Sequence, residues 1–75
     1  MKIKTLEIIH DSLKRRMESQ KFEYGILVNV LEKKKKEGAP ENEIEMSENI
    51  VKESGDKIAD IEDAIEEFEN ISFLL

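Results

Sequence analysis

Glu7 and His10 form a Glu-x-x-His, the pair in this chain whose types and spacing come nearest to doing chemistry. On a helix, a carboxylate and an imidazole three residues apart are surface neighbours and point the same way. In four-helix bundles, two such pairs joined by two further Glu residues hold a pair of metal ions. If the chain folds back on itself, Glu66 or Glu67 stands near the level of His10 and could supply a further ligand. Against this, a four-residue match arises readily in a chain so rich in Glu, and the neighbouring core positions are aliphatic. The expectation is therefore no metal and no cofactor, with Glu7 and His10 the residues that would hold a metal if one bound. Otherwise His10 is a boundary residue near Phe68.

Other chemistries find less support. There is no Ser-His-Asp or Cys-His arrangement and no Gly-rich phosphate loop, and cysteine is absent altogether. A small bundle also has no room for a substrate pocket. No enzymatic activity is expected. Lys14-Arg15-Arg16 and the run Lys33 to Lys36 could touch phosphates. Nucleic-acid readers are normally basic overall, however, and this chain has a sequence pI near 4.8. Direct nucleic-acid binding is not expected. Asp56, Asp60, Asp63 and Glu67 make a carboxylate stripe that could mimic a phosphate backbone and occupy a basic partner. The plainer reading is a solvated acidic face.

These residues must be positioned by helices. Ala, Glu, Lys, Leu and Arg make up 35 of the 75 residues, close to the roughly 50% that marks long helices and coiled coils. With Ile3 as heptad position a, the a positions of the first segment are Ile3, His10, Met17, Tyr24 and Leu31. Its d positions are Leu6, Leu13, Gln20, Leu27 and Lys34. With Ile44 as a, the second segment places Val51, Ile58 and Ile65 at a, and Ser47, Ser54, Ile61 and Phe68 at d. Ile50, Ala64 and Ile71 add a third apolar row at g, the width expected of a helix with more than one neighbour.

Between the segments lies Lys33-Lys34-Lys35-Lys36-Glu37-Gly38-Ala39-Pro40. Lysines complement the negative end of a helix, and glycine closes one in the left-handed conformation. Pro40 fits the first turn of the next helix, where Glu41, Glu43 and Glu45 meet its positive end; Asn42 is an alternative N-cap. The expected fold class is all-α, an antiparallel two-helix hairpin with a coiled-coil-like seam. It forms one domain over residues 1–75, with helix 1 about 3–37, turn 38–40 and helix 2 about 41–72.

The expected core is Leu6, Leu13, Met17, Tyr24, Leu27, Leu31, Val51, Ile58, Ile61, Ile65 and Phe68. Tyr24 falls opposite Ser54 and Gly55, with Gly25 beside it. Two mid-helix glycines at one level suggest a close backbone approach or a bend. The remaining apolar residues, among them Ile8, Phe22, Ile26, Val28, Ile50, Ala64, Ile71 and Phe73, exceed what two helices can cover. Phe22, Ile26, Ile50 and Ile71 are the expected association surface. Gln20 is expected to meet its own copy across a dimer axis. The simplest cover is a second chain, giving a homodimeric four-helix bundle. That assembly resembles the Rop family's dimeric helical hairpin in architecture, with no sequence motif in common.

Charge is split between the halves. Residues 1–38 carry ten Lys/Arg against six Asp/Glu, and residues 39–75 carry two against twelve. The halves are thus +4 and −10, and a basic helix against an acidic one is self-complementary. No apolar run is long enough for a membrane span, and Glu7, His10 and Asp11 interrupt any signal-peptide core. A cytoplasmic location is expected. The functional expectation is a small non-enzymatic interaction or regulatory protein acting as a self-associating hairpin, of the kind phages and mobile elements encode. The alternatives are an adaptor or inhibitor that takes another helical or basic protein on its apolar face or acidic helix, and a dimeric metal-binding bundle using Glu7 and His10.

Overall fold

Two helices, α1 (Ile3–Lys36) and α2 (Glu41–Leu74), account for the fold. A computed structural model describes residues 3–74, and side chains over residues 4–71. The helices pack antiparallel along their length into a rod of 54 × 15 × 12 Å. Each has 34 residues, about 51 Å at 1.5 Å per residue, so both run the full length of the rod. α1 ends one residue before the expected boundary and α2 runs two residues beyond it. Phe73, one of the surplus apolar residues, and Ile3, the first a residue, lie outside the described side chains.

The turn follows from its glycine. Gly38 sits at φ 70°, in the left-handed region. Its N–H donates to the Lys35 carbonyl at 3.3 Å and the Ala39 N–H to the Lys34 carbonyl at 3.0 Å. That pair of bonds is a Schellman cap, which satisfies carbonyls the helix leaves open. The Pro40 carbonyl accepts from the N–H groups of Glu43 and Ile44 at 3.0 and 3.2 Å. Pro40 is therefore the cap that precedes α2 rather than a residue of its first turn, and Asn42 lies inside the helix. Replacing Gly38 by alanine should cost about 1–2 kcal/mol, the penalty of a Cβ in the left-handed region. A urea titration followed by circular dichroism reads it directly.

Inside the hairpin the seam follows the heptads. Among the described residues Leu6, Met17 and Ile61 are the buried apolar ones, and Ser54 and Ser47 are buried more deeply still, Ser54 to 4% exposure. Small side chains at two successive d positions of α2 let the backbones approach closely. The Ser54 hydroxyl accepts from Gln20 Nε2 at 3.1 Å. No buried side-chain polar atom among the described residues lacks a partner, which spares the seam the penalty of an unpaired polar group. Leu13, Leu27, Leu31, Val51, Ile58, Ile65 and Phe68 are half-buried.

Two expectations about the core need correction. Tyr24 is 36% exposed rather than buried. Its ring lies over Gly55, where an added Cβ would meet Tyr24 Cε2 at 3.5 Å, an ordinary contact. A ring resting on the lip of a narrow seam keeps one face in solvent. Nor does Gly25 mark a close approach, because a Cβ built there meets nothing within 4 Å. Gly25→Ala should therefore stabilise the chain by roughly 0.5–1 kcal/mol, the gain in helix propensity. A loss of stability in the same titration would restore a packing role for the glycine.

Candidate interaction surface

His10 is placed by the seam. Its ring stacks on Phe68 with centroids 5.8 Å apart and an interplanar angle of 16°. Its Nε2 lies 2.9 Å from Glu69 Oε1. The carboxylate that reaches His10 is thus Glu69, two positions beyond Glu67 and three beyond Glu66, the residues expected from the sequence. The reason is the heptad: Glu69 occupies an e position on the flank of the seam, next to Phe68 at d. Stacking on one side and the carboxylate on the other fix the ring as a boundary residue. Among the described residues, no group of three or more His, Asp or Glu side chains is arranged to hold a metal. A shallow, open depression on α2 is lined by Asp63, Glu66, Glu67 and Asn70, all from one helix. It encloses nothing.

The two flanks of the seam differ in chemistry. In an antiparallel pair the e rows of the two helices share one side and the g rows the other. On the e side Lys35 and Glu48 meet at 3.6 Å. The same row sets Lys14, Lys21 and Lys35 of α1 against Glu48, Glu62 and Glu69 of α2. Glu7, Val28 and Gly55 hold the remaining e positions of that side. Each exposed pair of opposite charges adds about 0–1 kcal/mol.

The g side is apolar at both ends. Ile9 and Val30 of α1 and Ile50 and Ile71 of α2 occupy this row, and all four are exposed. The register that joins His10 to Glu69 puts Ile9 near the level of Ile71 and Val30 near the level of Ile50. Between these layers, Glu23 stands level with Lys57 and Arg16 level with half-buried Ala64. Near the turn, Ile26 and Met46, both exposed c residues, widen the apolar face. Ile26, Ile50 and Ile71, expected from the sequence as association residues, are brought together on this face. Val28 and Ala64 are half-buried rather than left bare.

Phe22 and Gln20 lie elsewhere. Phe22 is at an f position, pointing away from α2, and is 73% exposed. Ile8 shares the f row, so the back of α1 carries a sparse stripe of two exposed apolar residues interrupted by Arg15. Gln20 sits in the seam, donating to Ser54 at 3.1 Å and to Glu23 at 3.4 Å. Asp56, Asp60, Asp63 and Glu67 are all exposed, Asp56 and Asp63 on the outer side of α2 and Asp60 and Glu67 in the c row beside the g residues. Ile9, Val30 and Met46 on the g-side face were not among the association residues read from the sequence. Their signal was present in the g and c positions of the same heptads.

The fold and its surfaces define an all-α helical hairpin with one charged flank and one apolar flank. No described helix is long and apolar enough to cross a membrane. No family model, curated protein or solved structure matches the chain.

Proposed function

We propose that this chain is a small non-enzymatic interaction protein that works as a self-associating helical hairpin. The observation that carries the reading is the unfinished core. Among the described residues no side chain is fully buried, while Ile9, Val30, Ile50 and Ile71 stand exposed along one flank. A chain of 75 residues is near the size where a single core is marginal, buries only about 60% of its unfolded surface and commonly needs oligomerisation. Without cysteine there is no disulfide to serve instead.

A face of 54 by 15 Å offers about 800 Å² per protomer, or about 1,600 Å² for a pair, the standard size of a stable interface. Two hairpins joined on it form a four-helix bundle. Sedimentation velocity at about micromolar concentration, the range of ordinary specific affinities, tests the reading. A species of twice the 8.7 kDa chain mass is the expected result, and a folded monomer contradicts it.

A second reading rests on Phe22. A bundle leaves its f positions in water, yet Phe22 and Ile8 are the most apolar choices available there. An adaptor that presents this stripe to a helix of another protein would use them. The Phe22→Ala variant separates the two roles: self-association should be unchanged, and capture of a helical partner should be lost.

A further inference from the structure

The apolar flank admits two ways of pairing copies face to face, and the charges distinguish them. Both bury Ile9, Val30, Ile50 and Ile71. With the turns at opposite ends, α1 lies against α1 of the other copy and α2 against α2. With the turns at the same end, each α1 lies against the partner's α2. We propose that a second copy of the chain docks on this flank with both turns at the same end. The inference rests on the self-association proposed above and adds its geometry.

The g rows alone do not decide. Same-end pairing sets Glu23 against the partner's Lys57, while opposite-end pairing sets Arg16 against the partner's Glu23. The adjoining c row decides. On α2 that row carries Met46, Glu53, Asp60 and Glu67, and on α1 it carries Thr5, Ser12, Ser19, Ile26 and Lys33. Opposite-end pairing centred on the rod brings Asp60 to the partner's Asp60 and Glu53 to the partner's Glu67. Same-end pairing sets those carboxylates against the α1 row, which offers no like charge. The half-chains make the same choice, because residues 1–38 carry +4 and residues 39–75 carry −10. Opposite-end pairing packs −10 against −10 along a whole helix, and like-charge juxtaposition is among the strongest devices against a wrong arrangement. Same-end pairing makes every adjacent pair of helices antiparallel and opposite in charge.

The layers also match. In the same-end dimer Val30 meets the partner's Ile50 and Ile9 meets the partner's Ile71, each at the level it already shares within its own hairpin. Each end of the bundle thus gains one closed isoleucine-rich layer, and the middle is spanned by Glu23 and Lys57. Lys57 has no ion-pair partner among the described residues of its own chain, so its ammonium is available to the partner's Glu23.

The turn provides the readout. The chain has no cysteine, so Glu37→Cys places a single nitroxide label beside the exposed turn, and Lys36→Cys gives a second, independent site. Double electron–electron resonance then measures the distance between the two labels of a dimer. Helices in a bundle pack 8–10 Å apart, so same-end pairing predicts labels separated by about 20–30 Å. Opposite-end pairing predicts a separation near the 54 Å length of the rod. A short distance at both sites supports the inference. A long distance overturns it while leaving self-association intact, and a labelled protein that sediments as a folded monomer overturns self-association itself.

Discussion

Ile61→Ala should leave most of the chain unfolded in mild urea, where the parent chain remains helical. Ile61 and Met17 are buried and occupy one layer near the middle of the seam. Deleting a buried isoleucine to alanine removes its transfer energy and leaves a gap between two long helices that cannot close locally. Such changes cost 2–5 kcal/mol, and a side chain that is slightly exposed belongs at about 2–4. Small domains hold about 0.05–0.15 kcal/mol per residue, or roughly 4–11 for a chain of this length. One methyl-rich side chain thus supports a large share of the fold. The midpoint of a urea titration should fall with an unchanged slope. Phe22→Ala removes a larger side chain from a site exposed to solvent and should stay within about 0.5 kcal/mol. The reverse ranking would mean that the seam is built on a different face.

Ile50→Asp should abolish self-association while sparing the hairpin. Ile50 is 44% exposed within one chain, so an aspartate there remains in water as long as the chain is alone. Docking on the apolar flank would press that carboxylate against the partner's Val30. The interface is isologous, so each substitution is met twice. A well-packed apolar interface residue can cost about 2 kcal/mol when lost, and two copies imply about 4, roughly a thousandfold in affinity. Ile8→Asp is the matched control: the same chemistry at an exposed f position should leave the association constant unchanged. Equal effects of Ile8→Asp and Ile50→Asp would show that apolar character anywhere, rather than this flank, drives association.

Much of the hairpin was legible in the residues because its signals are periodic or local. The apolar stripes repeat at 3.5 residues, and the lysine run, Gly38 and Pro40 each restrict the backbone for an independent reason. Depth was less legible than direction. A heptad position gives the angle at which a side chain leaves the helix, and it does not give how far it penetrates. Tyr24 at a therefore reads as core yet rests on the lip of the seam, while Ser47 and Ser54 are buried because they are small enough for the backbones to close over them. Gly25 illustrates the same limit. A glycine in a helix signals permission for close approach, and nothing approaches.

The interaction surface divides along similar lines. An excess of apolar residues is countable from the sequence, and Ile50 and Ile71 at g follow from their heptad register. Phe22 is equally apolar, but its f position sends it to the opposite side. The difference between the flanks emerges only when the rows of both helices are laid side by side. Antiparallel pairing collects the lysines of α1 and the glutamates of α2 on the e side, as the Lys35–Glu48 contact at 3.6 Å records. The isoleucines are left together on the other. His10 is a case where chemistry suggested by spacing is absorbed by packing: Phe68 takes one face of the ring and Glu69 one nitrogen.

In the proposed assembly, a second copy of the chain completes the fold. Thermal unfolding followed by circular dichroism across about a hundredfold range of protein concentration tests it most directly, because mass action ties the melting temperature of a dimer to protomer concentration. The expected result is a midpoint that climbs steadily with concentration for the parent chain and stays fixed for Ile50→Asp. A sharp cooperative transition at one fixed temperature throughout that range would contradict it.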